Sequence, residues 1–190
     1  MKQGSRGEAE FDLDLVRKAQ AIEWLLLDVD GVLTDGHLFF SGRGEMFKAF
    51  HVRDGLAIRL AREAGLQVGL LSGRRSAALV RRATELSLDA QLLGREDKER
   101  ALRSFLAQNR LRPARVAYVG DDLQDLPAIA LCGLTFAPAD AVPEVRAAVD
   151  RVVNAPGGHG AVREVIEWLL RARGSWESLT SRWTGSSSRR

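Results

Sequence analysis

The sequence predicts an α/β fold with a mostly parallel sheet. Apolar runs of strand length alternate along the chain with amphipathic segments of helix length. The first such run, residues 22–27, is apolar except at Glu23, as expected for a strand that is buried on both faces of a parallel sheet. Several of these runs end abruptly in aspartate or serine. Together these observations predict polar groups gathered at the carboxyl edge of a buried sheet.

The elements can be assigned in chain order from the same patterns. Phe11, Leu15 and Ala19 at helical spacing predict a first helix, Gly65 marks the end of the second, and Pro127 bends or interrupts a later one. Helices are predicted at residues 8–20, 54–64, 76–86, 96–109, 123–131, 142–149 and 161–173. Strands of the sheet are predicted at residues 22–27, 66–71, 90–93, 116–119, 134–137 and 151–153.

Residues 37–51 predict a β-hairpin that follows the first strand. Two short apolar stretches flank a turn that contains Gly42 and Gly44. The hairpin is rich in aromatic residues, including Phe39, Phe40 and Phe47. A two-stranded hairpin is not stable alone, so we expect this one to pack on the body of the protein or on another subunit.

Composition indicates one domain at residues 1–175 and a basic, flexible tail at 176–190. Residues 171–190 contain five arginines and one glutamate, a net charge of +4, which leaves the rest of the chain at −1 and argues against a nucleic-acid partner. The single Cys132 excludes an internal disulfide and suits a reducing compartment. The absence of a signal-peptide core and of a membrane-length apolar run leads us to expect a cytoplasmic protein without a membrane partner.

Three predicted strands end in residues that suit one phosphate group. Asp28 and Asp30 follow the first strand, Ser72 follows the second, and Asp121 and Asp122 follow the fourth. Neighbouring carboxylates repel each other, and Mg²⁺ held by one or two of them would remove that repulsion. Asp28 could then attack phosphorus while Asp30 serves as acid and base. The alternative from this stretch alone is that the aspartates only cap a turn or helix.

Two further groups are candidates for this site. Lys98 is predicted in the first turn of a helix, where the helix dipole disfavours a cation, and a compact charge beside the phosphoryl group would explain it. A solvated lysine is the alternative. Ser72 can offer its hydroxyl to phosphoryl oxygens, or simply form a turn. Asp122 and Asp125 could orient Lys98, hold metal-bound water or cap a helix.

The order of these groups resembles that of the haloacid-dehalogenase-like phosphatases, over residues 22–173. Within that superfamily the chain resembles the small, cap-less 3-deoxy-D-manno-octulosonate 8-phosphate phosphatases. The segments that carry the resemblance are residues 28–36 (DVDGVLTDG), 44–45 (GE), 48–50 (KAF), 52–55 (VRDG), 72–74 (SGR), 119–123 (VGDDL), Asp125 and 160–164 (GAVRE).

This resemblance implies a three-layer, Rossmann-like fold with the hairpin in place of a cap domain. It implies a homotetramer whose hairpins meet at the centre and whose neighbouring subunits complete each active site. Mg²⁺ would be held by Asp28, the Asp30 carbonyl and Asp121. The implied substrate-binding residues are Asp30, His51, Val52, Arg53, Asp54, Gly55, Arg59, Arg74, Arg82 and Lys98. Without the resemblance, Arg59 and Arg82 would be interpreted as an exposed helix face.

The implied activity is Mg²⁺-dependent hydrolysis of 3-deoxy-D-manno-octulosonate 8-phosphate through an aspartyl-phosphate on Asp28. His51 and His159 depart from the family pattern, and these departures leave the choice of sugar acid open. The alternatives are a phosphatase for a nine-carbon 2-keto sugar-acid 9-phosphate, a phospho-accepting receiver domain and a non-catalytic assembly protein. Asp30 argues against a receiver, because an adjacent acid and base would hasten loss of a signalling phosphate.

Overall fold

The computed structural model describes residues 12–42 and 44–184. Its sheet strands are β1 (Trp24–Leu27), β4 (Gln67–Ser72), β5 (Ala90–Leu93), β6 (Val116–Val119), β7 (Leu134–Ala137) and β8 (Arg151–Val152), and a separate hairpin contains β2 (Phe39–Ser41) and β3 (Gly44–Phe47). The helices are α1 (Leu13–Ala21), α2 (Val52–Glu63), α3 (Ala77–Glu85), α4 (Lys98–Gln108), α5 (Leu126–Ile129), α6 (Pro143–Ala148), α7 (Ala161–Ala172) and α8 (Trp176–Thr184).

The six-stranded sheet is parallel throughout, in the order β5-β4-β1-β6-β7-β8. The predicted α/β class is therefore confirmed. Chain order runs outward from β1 through β4 to β5, and then restarts on the other side of β1 with β6. The carboxyl ends of β1, β4 and β6 consequently meet where the strand order reverses, which is where open α/β sheets bind ligands.

Helices cover both faces of the sheet. In β1, Leu25 and Leu27 pack with α1, α2, α3 and α7, whereas Trp24 and Leu26 pack with α4, α5 and α6. Every residue of β1 is buried, as the apolar run predicts. This burial on both faces fixes the strand at the centre of the three layers, and so fixes the position of the residues that follow it.

The hairpin lies outside these core clusters. β2 and β3 are antiparallel, and Phe39 is paired with Phe47, whose rings stack with centroids 4.4 Å apart. The strand pairing ends at Phe47, earlier than the predicted residue 51, and His51 is already the N-cap residue of α2. Arg43, in the turn, is outside the described residues.

The predictions for the two ends of the chain fall partly outside the described residues. Phe11, at the helical spacing that predicts the first helix, is outside the described residues. Part of the expected tail forms α8, because Trp176 is buried and its ring lies under the guanidinium groups of Arg163 and Arg171. The basic residues 185–190 are again outside the described part. Over residues 12–42 and 44–184, no helix has the length and apolar character needed to cross a membrane.

Candidate active site

The strand register brings the predicted polar groups to one edge of the sheet. Leu27 at the end of β1 is paired with Leu70 of β4 on one side and with Val119 of β6 on the other. The residues that follow these three positions therefore emerge side by side. They line a cavity of about 270 Å³, to which Asp28, Asp30, Ser72, Arg74, Lys98 and Asp121 all contribute. A larger hollow of about 860 Å³ along α3 contains none of these groups.

Lys98 connects two carboxylates inside this cavity. Its ammonium lies 2.9 Å from Asp28 Oδ1 and 2.6 Å from Asp125 Oδ1, and its side chain is only 4% exposed. Asp97 caps α4 by accepting a hydrogen bond from the Arg100 amide, which places Lys98 at the first position of the helix. A buried ammonium is stable only with such partners. The unusual helix-start lysine is thus a buried, paired cation and not a solvated one.

Asp125 is fully engaged as a hydrogen-bond acceptor. Its Oδ1 accepts from Lys98 and from the Tyr118 hydroxyl at 2.5 Å, and its Oδ2 accepts from the amides of Asp121 at 2.9 Å and Asp122 at 3.2 Å. Of the roles considered for Asp125, orientation of Lys98 and capping of the turn fit these contacts. The close packing also requires Gly120, since a Cβ there would lie 2.5 Å from the Asp125 Cβ.

Asp121 carries an unpartnered, buried carboxylate oxygen. Among the described residues, Asp121 Oδ1 has no hydrogen-bond partner. The other oxygen, Oδ2, lies against the backbone of Gly31, where φ is +97° and where any Cβ would collide with it. Gly31 therefore lets the loop after β1 approach this carboxylate closely.

The carboxylates of this cluster carry more negative charge than Lys98 can neutralise. Burial raises the pKa of Asp28 to about 7; the charge of Asp125 adds to this rise and Lys98 opposes it. Burial also raises the pKa of Asp121 to about 8, with further contributions from Asp28 and Asp125. One oxygen from each of Asp28, Asp121 and Asp125 lies within 4.8 Å of the others. Such a site fits a divalent cation with oxygen ligands.

Asp30 belongs to the same cavity but has different partners. Its Oδ1 lies 2.5 Å from Lys48 Nζ, and its Oδ2 lies 3.8 Å from Arg74 Nε. Ser72 is buried at the end of β4, and its hydroxyl oxygen accepts a hydrogen bond from the Arg74 amide at 3.2 Å. The hydroxyl proton remains available for a phosphoryl oxygen.

The loop that contains Gly157 and Gly158 packs against the residues that follow β1. The Gly158 amide donates to Val32 O at 3.0 Å, and the Gly157 amide donates to Asp140 Oδ1 at 2.9 Å. A Cβ at Gly157 would collide with the Gly31 carbonyl. His159, which departs from the family pattern, has its ring Nδ1 2.8 Å from Gly157 O, so it is held against its own loop.

The remaining predicted substrate residues lie in a second group. Arg82 has its guanidinium beside Gly55 and 5.7 Å from the Phe50 ring centre, and with His51 and Asp54 these residues line another cavity. Exposed positions of α2 complete the group: Val52, Arg53 and Arg59. The described chain does not bring this second group into the strand-end cavity; of the predicted arginines only Arg74 lines it.

Asp54 has a structural contact that the sequence did not reveal. It is buried at the start of α2, and its Oδ1 accepts a hydrogen bond of 2.7 Å from the Arg163 amide in the first turn of α7. Gly160, at the N-cap of α7, has no side chain for this purpose. Asp54 therefore caps a helix that is distant in sequence.

Two residues near the strand-end cavity were given no role from the sequence. Tyr118 looks like any buried strand residue, and nothing in its neighbourhood signals a hydroxyl that reaches Asp125. Lys48 had a detectable signal, because the chain has only four lysines and this one lies in the predicted hairpin. Its contact with Asp30 nevertheless depends on how the hairpin folds back.

Comparisons with known proteins point to one family. No family model matches the chain. A 3-deoxy-D-manno-octulosonate 8-phosphate phosphatase of Haemophilus influenzae is 46% identical over 158 residues, which are 83% of this chain and 88% of that protein. The enzyme of the same name from Escherichia coli K12 is 42% identical over 161 residues, or 85% of this chain and 86% of that protein.

Solved structures agree with these relatives. The cobalt-bound form of the Haemophilus influenzae phosphatase has a TM-score of 0.82 at 45% identity, covering 84% of this chain and 94% of that one. The phosphatase of Moraxella catarrhalis, solved with magnesium, phosphate and 3-deoxy-D-manno-octulosonate, has a TM-score of 0.86 at 34% identity. That alignment covers 90% of this chain and 98% of the Moraxella chain.

Proposed function

The chain belongs to the 3-deoxy-D-manno-octulosonate 8-phosphate phosphatases of the haloacid-dehalogenase-like superfamily, and from this premise we propose how its own residues carry out the reaction. The protein is a Mg²⁺-dependent phosphoric monoester hydrolase that releases phosphate and the free eight-carbon sugar acid. The observation that carries the assignment is the strand-end cluster, in which Lys98 bridges Asp28 and Asp125 while an oxygen of Asp121 is buried without a partner in the described part of the chain.

The metal site we propose uses Asp28, the Asp30 main-chain carbonyl and Asp121. Asp125 is not a ligand in this account, because its two oxygens already accept four hydrogen bonds. When bound, Mg²⁺ would offset the repulsion between Asp28 and Asp121 and draw negative charge from the phosphoryl group. The raised pKa values of both aspartates mark the two positions at which a cation would be most favourable.

Asp28 is the proposed nucleophile. Its backbone amide donates to Val119 O at 2.9 Å and its Oδ1 is held by Lys98, so the carboxylate has a fixed position at the mouth of the cavity. In the first step its free oxygen bonds to phosphorus while the bond from phosphorus to the sugar oxygen breaks. Lys98 and the Ser72 hydroxyl bind phosphoryl oxygens during this transfer.

Asp30 is the proposed acid and base. It gives a proton to the departing sugar oxygen, which takes the electrons of the broken bond. It then accepts a proton from the water that attacks the aspartyl-phosphate, and the cycle returns Asp28 as a carboxylate. This second step separates the protein from a receiver domain, since it removes the phosphate that a receiver must keep.

The second group of residues forms the proposed binding site for the sugar acid. Arg59 and Arg82 suit its carboxylate, and residues 51–55 line the same region. Because this group does not enter the strand-end cavity of its own chain, we propose that a neighbouring subunit supplies it. A homotetramer joined by the hairpins would bring the two groups together. A reducing, cytoplasmic location accords with the single Cys132.

The choice of substrate can be tested by measuring phosphate release across a panel of sugar phosphates, with and without Mg²⁺. The panel includes the eight-carbon acid 8-phosphate, the nine-carbon acid 9-phosphate and neutral hexose phosphates. We expect the highest kcat/KM for the eight-carbon acid and no turnover in EDTA. A preference for the nine-carbon acid would overturn the substrate assignment while leaving the chemistry of Asp28 intact. Equal rates on the neutral sugars would argue against carboxylate recognition.

A further inference from the structure

Lys48 is a buried lysine that reaches the cavity from the hairpin side. Its side chain is only 1% exposed. The ammonium lies 2.5 Å from Asp30 Oδ1 and 3.3 Å from Glu45 Oε2, and Glu45 is part of β3. An ammonium loses its hydration on burial, so a lysine at this depth must be held by charged partners.

The arrangement is more than an ion pair within the hairpin. Glu45 alone could neutralise Lys48, yet the shorter contact is to Asp30, and Glu45 Oε1 is buried without a partner among the described residues. Lys48 therefore holds the loop after β1 and the hairpin together through two carboxylates. Its contact leaves the other Asp30 oxygen, Oδ2, on the side of Arg74.

We propose that Lys48 is a positioning residue for the acid and base carboxylate of Asp30. By donating to Oδ1 it makes Oδ2 the oxygen that carries the transferable proton, and through Glu45 it sets the position of this carboxylate from the hairpin. The inference rests on the proposed function, because it assumes that Asp30 exchanges a proton with the leaving group and with water.

Because Asp30 gives a proton to the leaving group, loss of Lys48 should most affect the substrate whose leaving group needs that proton. In the first step Asp28 Oδ bonds to phosphorus, the phosphorus–oxygen bond of the ester breaks, and the electron pair stays on the leaving oxygen. A sugar alkoxide is strongly basic and needs the proton from Asp30 Oδ2 as the bond breaks. The p-nitrophenolate ion is a stable leaving group that needs no proton. A misplaced Asp30 should therefore slow the first step selectively for the sugar phosphate, whereas the later attack of water on the aspartyl-phosphate is common to both substrates.

The test compares kcat/KM for 3-deoxy-D-manno-octulosonate 8-phosphate and p-nitrophenyl phosphate in purified Lys48→Met, with Mg²⁺ present. We expect kcat/KM for the sugar acid phosphate, which includes cleavage of the ester bond but not the later attack of water, to fall by about tenfold or more, as part of what a general acid contributes. The loss on p-nitrophenyl phosphate should be much smaller. Lys48→Arg, which restores the charge, should recover part of the sugar phosphate activity. If Lys48→Met does not fold, the losses on the two substrates are compared in Lys48→Gln instead.

Three control variants show whether a selective loss of activity in Lys48→Met arises through Asp30. Lys18→Met removes a lysine whose ion pair with Asp150, at 2.8 Å, lies outside the cavity, and it should leave both activities unchanged. Asp30→Asn should reproduce the selective loss more strongly. Asp28→Asn should abolish both activities, because both substrates need the nucleophile.

Equal losses on the two substrates in Lys48→Met, or no loss on either, would overturn the positioning role. Such results are distinguishable from failure of the proposed function. If Asp28→Asn kept both activities, or if the wild-type protein hydrolysed neither compound, the nucleophile assignment itself would be contradicted, whatever the Lys48 variants did.

Discussion

At the scale of single residues, the site depends on carboxylates that are buried close together. Asp28 and Asp121 have pKa values raised to about 7 and about 8 by burial and by neighbouring negative charge. Protonation or a bound cation can relieve this repulsion, and the two compete for the same oxygens. The protein without metal should therefore respond to pH differently from the protein with Mg²⁺.

We predict that stabilisation by Mg²⁺ increases as the pH rises. In the unfolded chain these carboxyl groups lose their protons near the ordinary value of 3.8, whereas in the folded protein they keep them up to about 7 and 8. The folded state binds more protons in this window, so without metal their contribution to stability is present at low pH and is lost as pH rises. Mg²⁺ binds the ionised carboxylates and should restore the stability that is lost.

Thermal unfolding in EDTA and in saturating Mg²⁺, followed from pH 5 to pH 8.5, checks this prediction. The difference in Tm between the two conditions should widen across the range. In Asp121→Asn, which removes one of the two shifted groups, the difference should shrink at every pH. A Mg²⁺ effect that is constant with pH in the wild-type protein would contradict the account of the cluster.

The sequence identified most of these residues because their positions follow from strand ends. Asp28, Ser72 and Asp121 each follow a buried apolar run, and parallel strands expose such positions on one edge. The support of Asp125 by Tyr118 could not be foreseen, since it depends on the short 3-10 turn at Leu123–Asp125 that folds the carboxylate back toward the strand. Local sequence patterns do not predict that a turn will bring a side chain back to the strand in this way.

At the scale of secondary structure elements, the joint between α2 and α7 is fixed by one buried carboxylate. Asp54 accepts the hydrogen bond from the Arg163 amide that an N-cap side chain of α7 would otherwise accept. Burial raises the pKa of Asp54, and the hydrogen bond from Arg163 opposes that rise. The hydrogen bond therefore satisfies an amide in the first turn of α7, and this is achieved at the cost of desolvating the Asp54 carboxylate.

We predict that Asp54→Ala lowers the free energy of unfolding by about 1–3 kcal/mol, because it leaves the α7 amide without its acceptor. Asp54→Asn keeps an acceptor oxygen and removes the buried charge, so it should lose less. Urea unfolding of the two variants beside the wild-type protein gives the comparison. Equal destabilisation by alanine and asparagine would show that the cap contact is not what stabilises this joint.

Element boundaries were predicted well where buried faces define them and less well elsewhere. The strand at 116–119 agrees with β6 because all its residues are buried. The helix expected to begin at residue 54 begins at Val52, which is exposed and adds nothing to the apolar pattern. The region expected as a tail contains α8, whose Trp176 and Leu179 pack on the core next to charged neighbours that masked the helical spacing.

At the scale of the whole molecule, the hairpin presents aromatic side chains that the core of its own chain does not cover. Phe39, Phe40, Met46 and Phe47 are 39%, 60%, 61% and 49% exposed. An apolar patch on a two-stranded hairpin is typical of an interface between subunits. The proposed tetramer would cover this patch and would place the second group of substrate residues near a neighbouring cavity.

We predict that replacing Phe39 and Phe40 by serine weakens the oligomer, because the interface loses most of its apolar area at these positions. Sedimentation velocity over a range of protein concentrations should show smaller species at concentrations where the wild-type protein is assembled. Turnover of the sugar acid phosphate should fall together with assembly. Leu13→Ser, at an apolar position on α1 that is even more exposed, is the control and should change neither. Unchanged sedimentation of the double variant would refute the interface.

The most direct test of the whole account is phosphate release from 3-deoxy-D-manno-octulosonate 8-phosphate by the wild-type protein and by Asp28→Asn, measured side by side with Mg²⁺. Asparagine has nearly the same shape as aspartate but cannot attack phosphorus as a carboxylate. We predict rapid release by the wild-type protein and none detectable above background by the variant, with the two showing the same circular dichroism. Comparable release by both would contradict the aspartyl-phosphate mechanism on which the account depends.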